Sequence, residues 1–219
     1  MDWNVISKSI PLYWDAMLLT LKIGWIGVAL ATLIGLVSAV IIHFRIPVLS
    51  VVFKIYIEIF RNTPLLIQLF FLYFALPKIG IKISAEVCGW LGLGLLGGSY
   101  MSEAFRSGIE AIDIVQRESA LSLGMTDFQV MIHIVLPQAL SYSTPAFVAN
   151  IIFLLKETSV FSAISLMDLM FRAKDLIGLY YNTAEYLALL VVFYLIILLP
   201  VSILGTVLER RLRYASFGT

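Results

Sequence analysis

Charge is what this sequence has least of. Of 219 residues only 13% are Asp, Glu, Lys or Arg, while 61% are hydrophobic, and the mean hydropathy is +0.98. Soluble domains carry roughly 25% charged and about 45–50% apolar residues. A chain this poor in charge cannot cover a water-facing surface, which excludes a soluble enzyme and a disordered chain. Fifteen basic residues stand against fourteen acidic ones, a net charge of +1, so nothing points to nucleic acid. The single cysteine, Cys88, excludes an internal disulfide and reads as a small apolar packing residue. The two histidines, His43 and His133, stand far apart and without other cysteines, so no metal site is expected. The sequence lacks a Gly-x-x-x-x-Gly-Lys-Ser/Thr phosphate loop, so ATP is not bound here by that route. It lacks a nucleophile beside a base, an internal repeat and a Ser- or Gly-rich linker. Residues 1–219 read as one transmembrane domain without enzymatic chemistry of its own.

What is present is a series of long apolar runs. Between Lys22 and His43 there are 20 residues with no Asp, Glu, Lys, Arg or His, the length a spanning helix needs and too long for a usual signal-peptide core. Val37-Ser38-Ala39 only loosely resembles a cleavage site, and residues 1–15 read as a retained, amphipathic N-terminal segment. Further spans are expected at about 51–75, 85–107, 142–163 and 186–208. The third is rich in glycine, at Gly89, Gly92, Gly94, Gly97 and Gly98, which lets helix backbones approach closely in lipid. The fold class is therefore all-α integral membrane with five transmembrane helices. Basic residues set the orientation: Arg45, Lys54, Arg106, Arg117, Arg210, Arg211 and Arg213 fall on one side, against Lys8, Lys78, Lys82, Arg172 and Lys174 on the other. The first group belongs inside, with the N-terminus outside and the C-terminus cytoplasmic.

The inner connection 108–140 is too polar for lipid and too patterned for a slack loop. Residues 115–123 read as a short helix with Ala120, Leu121 and Leu123 as apolar contacts. Gly124 suits a left-handed C-terminal cap. Thr126 with Gln129 three residues on predicts a capping box opening a second helix, and Pro137 predicts a bend or boundary near its end. A plain surface hairpin and a docking element both remain open at this point. On the outer side, the mixture of Asp168, Arg172, Lys174 and Asp175 with leucines and methionines over 165–182 predicts an interfacial amphipathic helix, a gate or docking surface or a solvated connector.

Several charges fall at membrane depth. Arg61 lies near the middle of the second expected span, where a bare arginine costs at least about 2.5–3.5 kcal/mol and so demands a partner or a wet cavity. Glu58 is three residues earlier on the same helix face. Pro64 cannot donate an N–H and frees the carbonyl of Phe60, and Gln68 continues the stripe. A broken helix with polar groups at the midplane is a recurring way to hold a small polar solute. Arg61 would then grip a carboxylate with two prongs, with Thr63 and Gln68 adding hydrogen bonds; a structural Arg61–Glu58 pair is the alternative. Ser99, Ser102 and Asn150 are further polar positions in the third and fourth spans. Asn150 suits either a solute or a neighbouring helix. Lys156 and Glu157 are adjacent, point in different directions and read as gating or inter-helix charges. Glu103 is expected to pair with Arg106, three residues on.

One set of segments resembles a known family. Glu118-Ser119-Ala120, Gly124 and Ile134-Val135-Leu136-Pro137 are similar to the EAA loop of ABC importer permeases, with Ser119 in place of an alanine. Glu58 through Leu66, Tyr100 through Ile109, Leu136 through Ala139 and Lys156 through Ser159 narrow the resemblance to the polar amino acid permeases, over nearly the whole chain. The resemblance implies a type I ABC importer permease fold in a bacterial inner membrane, multi-pass. It implies that 115–137, with Glu118, Ser119, Ala120, Gly124, Met125 and Pro137, couples the chain to a cytoplasmic ATPase. It further implies two ATPase subunits holding ATP and Mg, a second permease subunit, identical or homologous, an extracytoplasmic solute-binding protein and an amino acid solute. Arg61 would bind the α-carboxylate, with Thr63, Gln68, Ser99 and Asn150 around it. Asn150, near where cation-transporting relatives carry a carboxylate, tilts the solute towards neutral or acidic amino acids, with cystine, glutamine, glutamate and aspartate all open. An ion-coupled secondary transporter and a non-binding half of a heterodimeric importer are the competing readings.

Overall fold

The computed structural model describes the backbone of residues 2–217 and the side chains of residues 2–212; the Arg213 side chain, one of those used for orientation, lies outside them. The described residues are helical and contain no strand. In hydrocarbon a helix satisfies every backbone group within its own segment, which is why apolar runs of this length take no other form here. Helix α1 (Trp3–His43) starts on the Asp2 side chain, which accepts the N–H of Asn4, and continues for 41 residues. At 1.5 Å per residue it measures about 60 Å, twice the roughly 30 Å hydrocarbon core. The separate N-terminal segment expected from sequence is therefore corrected to the first half of this helix. Its charges lie early and exposed, while Ser9, Tyr13, Ala16, Met17 and Thr20 recur every three or four residues on a buried face.

The second expected span is not one helix. Helix α2 (Leu49–Arg61) and helix α3 (Leu65–Phe70), which continues through a π-turn at Phe71–Ala75 and a 3-10 turn at Leu76–Ile79, meet at 104°. Helix α4 (Ala85–Glu110), capped by Ser84, is the third span. Helix α5 (Ile114–Ser122) and helix α6 (Asp127–Val130) form a corner at the inner end. A π-turn at Met131–Val135 carries α6 directly into helix α7 (Leu136–Glu157), which ends in a 3-10 stretch, Thr158–Ile164. Of the bend or boundary expected at Pro137, the structure has the boundary: the π-turn ends at Val135 and α7 begins at Leu136. Pro137 sits in the first turn of α7, and the wider turn just before it accommodates the missing N–H and the ring. Helix α8 (Leu169–Tyr180) follows on the outer side, and helix α9 (Thr183–Phe217) closes the chain.

Trp3–His43, Asp127–Ile164 and Thr183–Leu212 are long and apolar enough to cross a membrane, and the bent α2–α3 pair makes a fourth. The fifth, α4, is the central helix, packed by α1, α2, α3 and α7. Neighbouring helices rather than lipid surround it, so it carries glycines and charges that a lipid-facing helix would not. Close backbone approach holds it in place. A Cβ on Gly35 of α1 would lie 2.9 Å from the backbone of Met101 and Ser102, and a Cβ on Gly108 would lie 2.5 Å from the carbonyl oxygen of Ala139 on α7.

The first half of α1 packs against α8 and α9, where Tyr13 donates to the carbonyl of Tyr186 at 2.8 Å. Leu169, Ala173 and Leu176 form the buried stripe of α8, the amphipathic helix expected from sequence. Asp168 caps it by accepting the Phe171 N–H at 2.9 Å. It is fully buried, and its Oδ2 has no hydrogen-bond partner. Burial pushes its carboxyl up to about 7, against the opposing pull of the Phe171 N–H.

Two outcomes follow for stability. Gly108→Ala forces the α4–α7 contact apart and costs on the order of 1–3 kcal/mol, visible as a lower melting temperature in detergent; an unchanged value would contradict the close approach. Because the folded Asp168 prefers to be protonated while the unfolded chain ionises nearer the ordinary value of 3.8, its contribution is complete below pH about 4. It is lost progressively as pH rises to about 7, on the order of a few kcal/mol. Asp168→Asn keeps the helix cap and should flatten that fall; a fall of the same size in the variant would rule Asp168 out as its source.

Candidate functional site

The break between α2 and α3 begins with Pro64. The residue before a proline avoids helical geometry, and the proline itself offers no N–H, so α2 ends at Arg61 and its last carbonyls need other donors. Side chains supply them. Asn62 Nδ2 donates to the Glu58 carbonyl at 2.8 Å and to Glu58 Oε2 at 3.1 Å, and the Thr63 hydroxyl donates to the Ile59 carbonyl. Gln68 Nε2 reaches back from α3 to the carbonyls of Phe60 and Thr63, at 3.1 and 3.0 Å. The freed carbonyl of Phe60 is therefore taken by Gln68.

A cavity of about 400 Å³ opens at this break, lined among others by Arg61, Thr63, Pro64, Tyr100, Phe153 and Glu157. The Arg61 guanidinium carbon lies 5.7 Å from the centre of the Tyr100 ring, within cation–π range. Its Nη1 is 3.5 Å from Glu103 Oε2. In place of the Arg61–Glu58 pairing considered from sequence, Arg61 makes this contact across helices, while Glu58 Oε2 accepts from Asn62. Glu103 also pairs with Arg106 at 2.8 Å, as expected, and Arg106 with Glu110 at 2.7 Å.

Of the five residues expected to bind solute, Arg61 and Thr63 line the cavity. Gln68 is buried and pins the break. Ser99 is fully buried and donates to the Leu96 carbonyl at 2.6 Å. Asn150 is half-buried and donates across to the Tyr100 carbonyl at 3.3 Å, a contact with the neighbouring helix. Lys156 is exposed and Glu157 lines the cavity, diverging as adjacent helical residues must. Sequence reasoning missed Tyr100 and Phe153. Tyr100 was within reach of it, three residues before Glu103 and six before Arg106, on one face of α4.

A second cavity, about 860 Å³, lies towards the inner end and is lined by Lys54, Glu58, Glu103, Arg106 and Glu110 among others. Beyond it stands the α5–α6 corner. Asp113 caps α5 by accepting the Val115 N–H at 2.9 Å. Gly124 adopts φ +85°, and Thr126 and Gln129 form the full capping box, both as expected from sequence. Ala120 turns inward onto Val130 and Val135, with Met125 packed beside them. Arg117 ties α5 to α6 through Asp127 at 2.7 Å. Glu118, Ser119 and Pro137 face outward. The corner also exposes Leu123 and Phe128, 84% and 70% accessible.

Known proteins resemble the chain along most of its length. Residues 31–214 match the family described as binding-protein-dependent transport system inner membrane component. The probable glutamine ABC transporter permease protein GlnP of Bacillus subtilis (strain 168) is 36% identical over 172 residues, 78% of this chain and 79% of its own. The arginine transport system permease protein ArtQ of the same organism is 33% identical over 216 residues, 97% of this chain and 98% of its own. A crystal structure of an amino acid ABC transporter with histidines superposes with a TM-score of 0.90 at 33% identity, over 96% of this chain and 99% of that one. An inward-facing MetNI methionine ABC transporter, 18% identical with a TM-score of 0.73 over 97% and 99% of the two chains, shares the fold. The chain thus belongs to the binding-protein-dependent transport inner membrane components, as an amino acid ABC transporter permease of the bacterial inner membrane.

Proposed function

We propose that the cavity at the α2–α3 break is where an amino acid passes through this permease. The observation that carries the reading is a cavity lined by one cation, Arg61, and one carboxylate, Glu157, from different helices, with the rings of Tyr100 and Phe153 beside them. An α-amino acid presents the matching pair. Its carboxylate suits the two-pronged guanidinium, its ammonium suits Glu157, and Thr63 sits at the same wall. The cavity favours a solute-binding half over a scaffold-only half.

The α5–α6 corner is the coupling element towards a separate ATPase. Its exposed Leu123 and Phe128 are apolar surface at a polar membrane face, the kind of patch that a partner groove covers. Glu118 and Ser119 stand on the outward face of α5, while Ala120, Met125 and Gly124 fix its shape. Because α6 runs through the π-turn and Pro137 into α7 as one continuous span, a movement imposed on the corner reaches the end of α7, where Glu157 lies. That mechanical continuity favours an ATP-driven importer over an ion-coupled carrier. ATP and Mg would be held by two ATPase subunits. A second permease, identical or homologous, would complete the path, and a solute-binding protein would deliver the amino acid. Alternating access then consists of opening the Arg61 cavity outward on ATP-driven closure and inward after hydrolysis.

Two measurements test these assignments. Arg61→Ala in the assembled complex should weaken amino acid binding to the membrane unit by about thirtyfold or more, the loss of one charge-assisted contact of about 2 kcal/mol; retained affinity would place the solute elsewhere. Gly124→Leu has room for its side chain but not for its backbone, since a left-handed residue other than glycine costs about 1–2 kcal/mol. Uptake per ATP hydrolysed should fall roughly fivefold or more with the complex still assembled, and normal coupling would contradict the role given to the corner.

A further inference from the structure

One ion pair joins the lining of one cavity to that of the other. Arg61 lines the cavity at the break and not the inner one, whereas Glu103 lines the inner cavity and not the one at the break. Their side chains meet at 3.5 Å and are 42% and 30% exposed, so neither is sealed in protein. Glu103 is also the one carboxylate within ion-pair distance of Arg61 among the described residues. It holds the guanidinium that an incoming carboxylate needs.

We propose that Glu103 is a built-in stand-in for the solute carboxylate, so that the Arg61–Glu103 pair works as a solute-operated latch between the two cavities. The inference rests on the assignment of Arg61 as the carboxylate site and adds a positioning and gating role for Glu103. The chemistry is an exchange of partners with no change in charge count. A solute carboxylate displaces Glu103 from Arg61, and Glu103 does not become an orphan. It keeps Arg106, which approaches its two oxygens at 3.4 Å through Nε and 2.8 Å through Nη2. Release is inexpensive because the second contact is the shorter one and already made.

The exchange has a direction. Arg106 is also bound to Glu110 at 2.7 Å in the last turn of α4, three residues before Asp113 caps the coupling helix α5. Arg61, Glu103, Arg106 and Glu110 therefore form a chain of ion pairs from the break to the edge of the coupling corner. Loss of its first link disconnects the two linings and leaves the remaining links on α4 intact. The solute class that operates such a latch carries a free carboxylate; an amide of the same amino acid fits the cavity without competing for Arg61 as an anion.

The test uses the complete complex in lipid nanodiscs and a panel of the twenty radiolabelled amino acids, each paired with its carboxamide. Glu103→Gln removes the competing charge and keeps the shape. For the amino acid bound best by the unmodified complex, the variant should bind about fivefold tighter, the factor that a partly exposed ion pair supports. The carboxamide should show no such gain. Unchanged or weaker binding in Glu103→Gln, or an equal gain for the carboxamide, would overturn the latch. If Glu103→Gln fails to assemble, Glu103→Asp, which withdraws the carboxylate by one methylene, should give a smaller gain with the same carboxylate selectivity, and no gain would overturn the latch equally. Arg61→Ala separates the two layers of argument. Abolished binding there with no effect at Glu103 leaves the solute site standing without the latch, whereas unaltered binding in Arg61→Ala, or no binding of any amino acid by the unmodified complex, removes both.

Discussion

The break at Pro64 is the constraint on which the rest of this structure depends. A transmembrane helix can be interrupted in lipid only if its stranded carbonyls find donors, because no water is there to replace the lost bonds. Asn62, Thr63 and Gln68 supply those donors from within seven residues of the interruption. With the break thus stabilised, α2 stops at Arg61 and the chain turns by 104°. At the end of α2 the guanidinium lies against α4, over Tyr100 and beside Glu103, and the break that follows it lines the cavity with Thr63 and Pro64.

The second requirement is a central helix that can afford charge. Helix α4 carries Glu103, Arg106 and Glu110 along the inner cavity to its last turn, and α1, α2, α3 and α7 pack around it. Glycines at the contacts with α1 and α7 permit that packing at backbone distance, where dispersion and local hydrogen bonds, rather than a hydrophobic driving force, hold helices together in lipid. The price of the arrangement is visible in hydropathy, since α4 is the one long helix absent from those apolar enough to be recognised as spans. The same substitutions of small and charged residues for leucine make it a poor lipid-facing helix and a good core for a polar path.

Much of this was legible in the sequence where the physics is local. The capping box at Thr126 and Gln129, the left-handed Gly124, the Glu103–Arg106 pair at i, i+3 and the amphipathic α8 each depend on residues within one or two turns, and each is present as expected. Legibility ended where the chain changed direction. Arg61 was assigned to a solute site from its depth and Thr63 from its neighbourhood, and both line the cavity. Gln68, Ser99 and Asn150 were grouped with them by polarity, yet each spends its side chain on a backbone carbonyl. Helical periodicity cannot say whether a buried amide faces a void or another helix; that depends on the angle between elements, which no residue spacing encodes. At Pro137 the boundary is local and present as expected, whereas the five-residue π-turn before it has no signature in residue spacing.

The path from corner to cavity follows from these pieces. On one side, α6, the π-turn and α7, with Pro145 inside it, form one continuous helical rod from the α5–α6 corner to Glu157. On the other, α4 carries its ion pairs from Glu110, close to the same corner, up to Arg61. The two walls of the cavity at the break are therefore attached to one end of the molecule by two different kinds of connection. The rod transmits displacement, because a helix resists compression. The ion-pair chain is electrostatic, and it runs along one face of α4 from Arg61 at the break to Glu110 beside the corner. A rod and a chain of charges that converge on one corner place both walls of the cavity within reach of the same surface.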